Sequence, residues 1–273
     1  MVWLYGGGAS ALGLKILEKS VCHFRKYYQD LWCGTICHVN CDGNEKKRIG
    51  NLSKKWNVHT QQLVKPNLFQ ETSKQEASRL LSHSRFGSLW KLSLPQSLFD
   101  AYTVYLDNDI VPTKRSRVFL DYIVRNQPFV ALDNCLSVGQ MYPHFSEHTP
   151  LNSGLWGLPK YVRFQENLRN YWEAVGQPNH LSSQDEQGLI CGMLQQHDAC
   201  VFSGVANLCS EGIMCDVNYQ TILDPNKILR KIVASNRYKQ CQFEDWEFLH
   251  FMGANRNRQH LQWRTFLAHS HSL

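Results

Sequence analysis

No run of about 18 consecutive apolar residues, the length that crosses a bilayer as a helix, occurs in these 273 residues. The first residues, MVWLYGGGASALGLKILEKS, have no basic stretch ahead of an apolar core and no small-residue cleavage site, so they read as folded structure rather than an export signal. Charge of one sign is not in great excess. The 29 Lys plus Arg against 23 Asp plus Glu leave a formal charge of +6, and the basic residues are dispersed with no recognised binding motif, which argues against a nucleic-acid partner. Internal repeats, low-complexity tracts and linkers are also missing, which predicts one domain over 1–273. Its ten cysteines lack the dense short-loop spacing of a secreted disulfide scaffold, so reduced thiols in a cytoplasmic protein are the simplest account. Cys33, Cys37 and Cys41, four apart with His38 among them, invite a zinc reading. Without a second close pair of ligands, Cys33 and Cys37 read better as small hydrophobes on one face of a buried strand.

What is present is an ordinary globular composition, 43% hydrophobic and 19% charged, long enough to bury a core without metal or disulfide staples. Helical and extended segments alternate, which predicts an α/β fold with helices on a mostly parallel sheet. Val2 to Tyr5 reads as a buried strand. Gly6, Gly7 and Gly8 turn the chain into a helix in which Leu17, Val21, Phe24 and Tyr28 recur at helical spacing, and Thr35 to Val39 is the next strand of a βαβ unit. The polar, Lys-rich stretch from Asp42 to Leu63 reads as a short helix or loop, and Ser78 to Trp90 as a helix. The run AYTVYLDNDIVP is β-branched and aromatic, ends in two acids and a proline, and should form a central strand. PFVALDN repeats the pattern, PLNSGLWGLP is a glycine-punctuated strand or turn, and Phe164 to Val175 is an amphipathic helix.

Asp107 and Asp109 flank Asn108 at the end of the predicted central strand. In extended backbone both carboxylates face one side, within reach of one divalent cation, and strand carboxyl ends are where α/β sheets bind ligands. The plainer reading is a solvated turn. His250 opens HFMGANR, where the imidazole could supply a third metal ligand, Gly253 would let backbone approach a ligand and Arg256 could grip a phosphate. In SSQDEQGL, Ser183 and Glu186 match a capping box opening a helix, and Asp185 in its first turn could offer a carboxylate to a sugar hydroxyl. Asn152, Ser153 and Gly154 supply small hydrogen-bonding groups for a tight pocket.

Taken in order, the GGG turn, Lys91 in LWKL, the strand-end D-N-D, LNSGLWGLP, DEQ and HFMGANR resemble glycosyltransferase family eight, the retaining GT-A enzymes that include glycogenin and bacterial lipopolysaccharide galactosyltransferases. The resemblance implies a GT-A fold, a single Rossmann-like mixed sheet flanked by helices. Residues 1–111 would be the nucleotide-binding half, and 112–273 the acceptor and donor-sugar half with a basic C-terminal segment. It also implies that Asp107, Asp109 and His250 hold Mn2+ or Mg2+ against the diphosphate of a UDP-sugar. Asp107 would also touch the ribose and Lys91 the donor. Asn152 and Gly154 match the family's N-x-G strand, Asp185 the acid that holds the donor sugar, and Gly6, Gly7 and Gly8 the junction of first strand and nucleotide. The chain departs from the family in two places: Arg256 stands where the histidine motif usually has lysine before Pro-Trp, and Glu186 follows the acid where glutamine is usual.

The activity so implied is transfer of a sugar from the nucleotide donor to an acceptor hydroxyl with retention, the leaving phosphate taking the acceptor's proton. The acceptor class, whether glycan, lipid, protein or small molecule, is unspecified. Glu186 offers a second route through a covalent glycosyl-carboxylate, but a helix-capping role would occupy it. Two alternatives stand: a metal-dependent nucleotidyltransferase, and a non-catalytic carbohydrate binder suggested by 8 Trp and 11 Tyr. The segment bearing Arg258, Trp263 and Arg264 reads first as a solvated helix packed by its aromatic face, with peripheral contact to an anionic membrane as the alternative.

Overall fold

The computed structural model describes residues 1–7, 11–31, 33–63, 88–133, 138–145, 150–177, 181, 183–207 and 247–250. Its centre is a mixed sheet of seven strands in the order β3-β2-β1-β4-β7-β6-β8. These are β1 (Val2–Gly6), β2 (Thr35–Val39), β3 (His59–Gln62), β4 (Thr103–Asp107), β6 (Phe129–Leu132), β7 (Leu151–Leu158) and β8 (Cys200–Phe202). Parallel pairing joins β3, β2, β1 and β4, and again β6 and β8, so β7 alone runs against the rest. The aromatic run read as one central strand is in fact two. β4 does sit in the middle of the sheet, but the chain turns at Asn108 and Asp109 and continues as β5 (Ile110–Pro112), which belongs to a second sheet of order β5-β10-β9 with β9 (Val205–Asn207) and β10 (Phe248–His250).

Helices cover both faces of the large sheet, and the strands show why. In β1, Trp3 and Tyr5 face one way and Val2 and Leu4 the other; in β4, Val104 and Leu106 oppose Tyr105, the alternation extended backbone imposes. The first face packs on α1 (Ala11–Tyr28), whose Leu17, Val21, Phe24 and Tyr28 are all buried as their spacing predicts. Trp3 donates from Nε1 to Ser20 Oγ, and Ser20 in turn donates to the Ile110 carbonyl, which ties α1 to the start of β5. The segment read only as a short helix or loop forms α2 (Gly43–Trp56). Asp42 and Glu45 close a capping box at its start, and Asn57 ends it in the left-handed region at φ 52°. A further helix, α3 (Arg117–Val124), brings Phe119 into the aromatic cluster with Phe24, Tyr28 and Phe248.

The opposite face packs on α4 (Phe164–Ala174) and α5 (Ser183–Gln195). Trp156 lies between Tyr105, 5.1 Å away and stacked, and Phe164, 5.4 Å away and stacked. Of the helix expected over Ser78 to Trp90, residues 88–93 form a 3-10 turn (Ser88–Ser93) and 78–87 lie outside the described residues. Cys33 is exposed ahead of β2 rather than sharing a strand face with buried Cys37. The only group among the described residues suited to a metal contains no cysteine. No helix among them is long and apolar enough to cross a membrane.

Candidate active site

The site forms at the carboxyl end of β4, where the sheet and its small companion diverge. β4 delivers Asp107, the turn carries Asp109, and the antiparallel register of Ile110 with His250 brings the imidazole back beside both acids. One ligand atom from each of the three lies within 4.8 Å of the others. His250 Nε2 is 3.4 Å from Asp109 Oδ1 and 3.8 Å from Asp107 Oδ2. The sequence had placed these three together, and the backbone explains how residues 141 positions apart meet.

Other residues come from elements distant in sequence. Lys91, on the 3-10 turn and only 5% exposed, donates to Asp107 at 3.0 Å and 3.1 Å, one contact to each oxygen, and to Ser153 Oγ at 3.2 Å. Its ammonium is 3.5 Å from Glu186 Oε1, which also accepts from Ser153 Oγ at 2.9 Å. Burial pulls the Lys91 ammonium toward neutrality, but Asp107 and Glu186 outweigh burial and hold it above the ordinary lysine range. Burial pushes the Glu186 carboxyl up to about 7 against the opposing pull of Lys91. The Ser183 side chain of the capping box expected from SSQDEQ lies outside the described residues; Glu186 Oε1 is engaged by Lys91 and Ser153 across the site.

Ser153 and Gly154 reach this position through an irregularity in β7. Between Val130 and Ala131 the register with β6 jumps from Trp156 to Asn152, so Ser153, Gly154 and Leu155 have no counterpart in β6. Gly154 has to be glycine here. A Cβ would sit 2.5 Å from His250 Cε1, 2.7 Å from Asn152 Oδ1 and 3.1 Å from Asp107 Oδ2, in the space between the acid and the imidazole. Asn152 is buried; its Oδ1 accepts from the Gly154 amide at 2.7 Å and its Nδ2 donates to Asp133 at 2.8 Å.

Asp185 is buried at the start of α5, with its carboxylate directed to another neighbour. It accepts from the Gln140 amide at 2.6 Å and from Gln140 Nε2 at 3.3 Å, against Gly139 at φ +56° in the 3-10 turn Gly139–His144. Gly6 ends β1, paired with Val39. The Gly7 amide donates to the Val39 carbonyl at 2.7 Å, and a Cβ on Gly7 would strike the Asn40 backbone, so this glycine allows β1 and β2 to converge at the sheet's carboxyl edge. Gly8, Gly253 and Arg256 lie outside the described residues. Tyr105, Asp133 and Gln140 were not singled out from sequence, although Tyr105 was readable as the residue two before Asp107 on a strand. A separate cavity of about 700 Å³ lies against the C-terminal parts of α4 and α5, lined by Tyr171, Gly192 and Cys200 among others, and shares no residue with this cluster.

The donor set suits a divalent cation. Asp107 and Asp109 offer hard oxygen ligands and His250 a borderline nitrogen, while the Lys91 ammonium lies between Asp107 and Glu186. With that geometry established, the comparison with solved structures is informative. Mouse xyloside xylosyltransferase 1 in its apo form superposes with a TM-score of 0.51 at 12% identity, over 94% of this chain and 97% of that one. The galactosyltransferase LgtC, in complex with donor and acceptor sugar analogues, superposes with a TM-score of 0.53 at 11% identity, over 99% of this chain and 96% of that one. The fold is GT-A. No family model and no curated protein sequence matches the chain. Within the GT-A fold, the acid–imidazole cluster lies at the carboxyl end of the central strand, where sheets of this kind open a ligand crevice.

Proposed function

We propose that the protein is a glycosyltransferase that moves a sugar from a nucleotide-sugar donor, a UDP-sugar, to an acceptor hydroxyl with retention at the anomeric carbon, using a divalent metal ion. The observation that carries this reading is the convergence of Asp107, Asp109 and His250 within 4.8 Å, with Lys91 beside them, at the end of β4. The sequence resemblance to glycosyltransferase family eight and the fold shared with LgtC point the same way. Asp107, Asp109 and His250 would hold the ion, Mn2+ or Mg2+, which when bound neutralises charge on a diphosphate leaving group.

The chain's own groups supply the rest. Lys91 is a fixed, buried positive charge at the place where negative charge grows as the nucleoside diphosphate departs, and a preorganised charge in a dry site acts without reorganisation. Ser153 and Lys91 hold Glu186 on the same side of the sheet, where its carboxylate faces the developing positive charge of the sugar. That restraint favours an electrostatic role for Glu186 over attack on the anomeric carbon, with the leaving phosphate taking the acceptor's proton. Asn152, which holds the Gly154 amide, and Asp185, buried and engaged by Gln140, are assigned to donor-sugar recognition on the family resemblance.

The test is a panel of nucleotide-sugars with Mn2+, scored for released nucleoside diphosphate. UDP should appear from one UDP-sugar, and Asp109→Ala should lower the rate by at least about 100-fold, more than loss of a residue supporting a metal ligand costs. Full turnover in EDTA would overturn the metal assignment. Pyrophosphate released from a nucleoside triphosphate would replace sugar transfer with nucleotidyl transfer.

A further inference from the structure

Asp107 is held by more than its place on the strand. Tyr105, two residues earlier on β4 and on the same face, is fully buried and donates from its hydroxyl to Asp107 Oδ1 at 2.8 Å. The Lys91 ammonium sits across both oxygens, 3.0 Å from Oδ1 and 3.1 Å from Oδ2, and 5.5 Å from the centre of the Tyr105 ring, so the Tyr105 hydroxyl is what distinguishes Oδ1 from Oδ2. With Tyr105 bound to Oδ1, the carboxylate turns Oδ2 toward His250, across the space that Gly154 leaves open.

The phenol itself is held by the core. Its ring stacks on Trp156 at 5.1 Å with an interplanar angle of 15°, and Trp156 stacks on Phe164 of α4 at 5.4 Å and 13°. A tyrosine stacked on a tryptophan that is itself stacked on Phe164 places its oxygen with little freedom. We propose that Tyr105 is a positioning residue for the metal ligand Asp107: its hydroxyl occupies Oδ1 and fixes the rotation of the carboxylate so that Oδ2 faces His250 and the neighbouring Asp109. The role rests on the reading of this cluster as a cation site. Groups that hydrogen-bond to metal ligands typically change metal affinity ten- to hundredfold when removed.

Tyr105→Phe deletes only the hydroxyl and keeps the ring stacked on Trp156. Mn2+ binding without any nucleotide, followed by the electron paramagnetic resonance signal of free Mn2+, should be at least tenfold weaker in Tyr105→Phe than in the unaltered protein. The melting temperature in EDTA should fall by no more than about 5 °C, the cost of one buried hydrogen bond, because packing is preserved. Equal Mn2+ affinity in the two proteins overturns the positioning role and leaves the cation site standing. A weakened affinity accompanied by a larger loss of melting temperature in EDTA also overturns it, since the effect would then be structural. If the unaltered protein does not bind Mn2+ at all, the cation-site reading fails and the role of Tyr105 fails with it.

Discussion

Glu186 has partners that its local sequence does not announce. In SSQDEQ it looks like the far half of a capping box, a motif defined within four residues, and the structure brings its carboxylate to Lys91 on a 3-10 turn some 95 positions earlier. Local patterns report local hydrogen bonds; they are silent about partners that only the sheet brings together. Because burial raises the Glu186 carboxyl from 4.5 to about 7, the folded state holds a proton there between these values while the unfolded chain does not. Stability from this group is therefore fully present below pH 4.5 and is lost as pH rises through 7, by up to about 3 kcal/mol. Glu186→Gln keeps the shape of the neutral acid and cannot ionise, so its denaturant midpoint relative to the unaltered protein should climb steadily from pH 4.5 to 7.5. A difference that stays flat across that range would show that Glu186 is charged in the fold throughout.

At the scale of elements, legibility followed periodicity. The βαβ unit was readable because β1 and β2 are short apolar runs and α1 repeats its buried residues at 17, 21, 24 and 28; α2 was understated although Asp42 and Glu45 carry the capping signature. β7 was left between strand and turn because it is buried along its whole length and shows no alternation, and because the register jump that places Ser153 and Gly154 has no signal beyond a glycine. That irregular segment is also where a single added methyl separates site from scaffold. Gly154→Ala must displace the His250 ring or the Asn152 amide, since its Cβ would approach them to 2.5 Å and 2.7 Å. The variant should lose about 1–3 kcal/mol of stability, as overpacked cores do, and at least tenfold in Mn2+ affinity. Thermal melting in EDTA and Mn2+ titration measure the two effects separately; unchanged affinity would show that the methyl leaves the cation ligands undisturbed.

Over the whole molecule, the acids at the end of β4 were legible because a strand ending in D-x-D is a local pattern, but the order of the strands was not. A mostly parallel sheet was a sound expectation, and β7 enters it reversed, antiparallel to both β4 and β6. The same divergence splits the candidate site between two sheets: Asp107 belongs to the seven-stranded sheet and His250 to the three-stranded one, with Asp109 in the turn between them. A cation held by all three therefore bridges the sheets, and its binding energy becomes part of the stability of their junction. At a hundredfold excess over its dissociation constant, a ligand that binds only the folded state adds about 2.7 kcal/mol, which for a chain of this size raises the melting temperature by roughly 5 °C or somewhat more. Mn2+ should produce that shift relative to EDTA in the unaltered protein and little or none in His250→Ala, each variant being compared with its own EDTA baseline. An equal shift in His250→Ala would place the cation on the large sheet alone and remove the imidazole from the site.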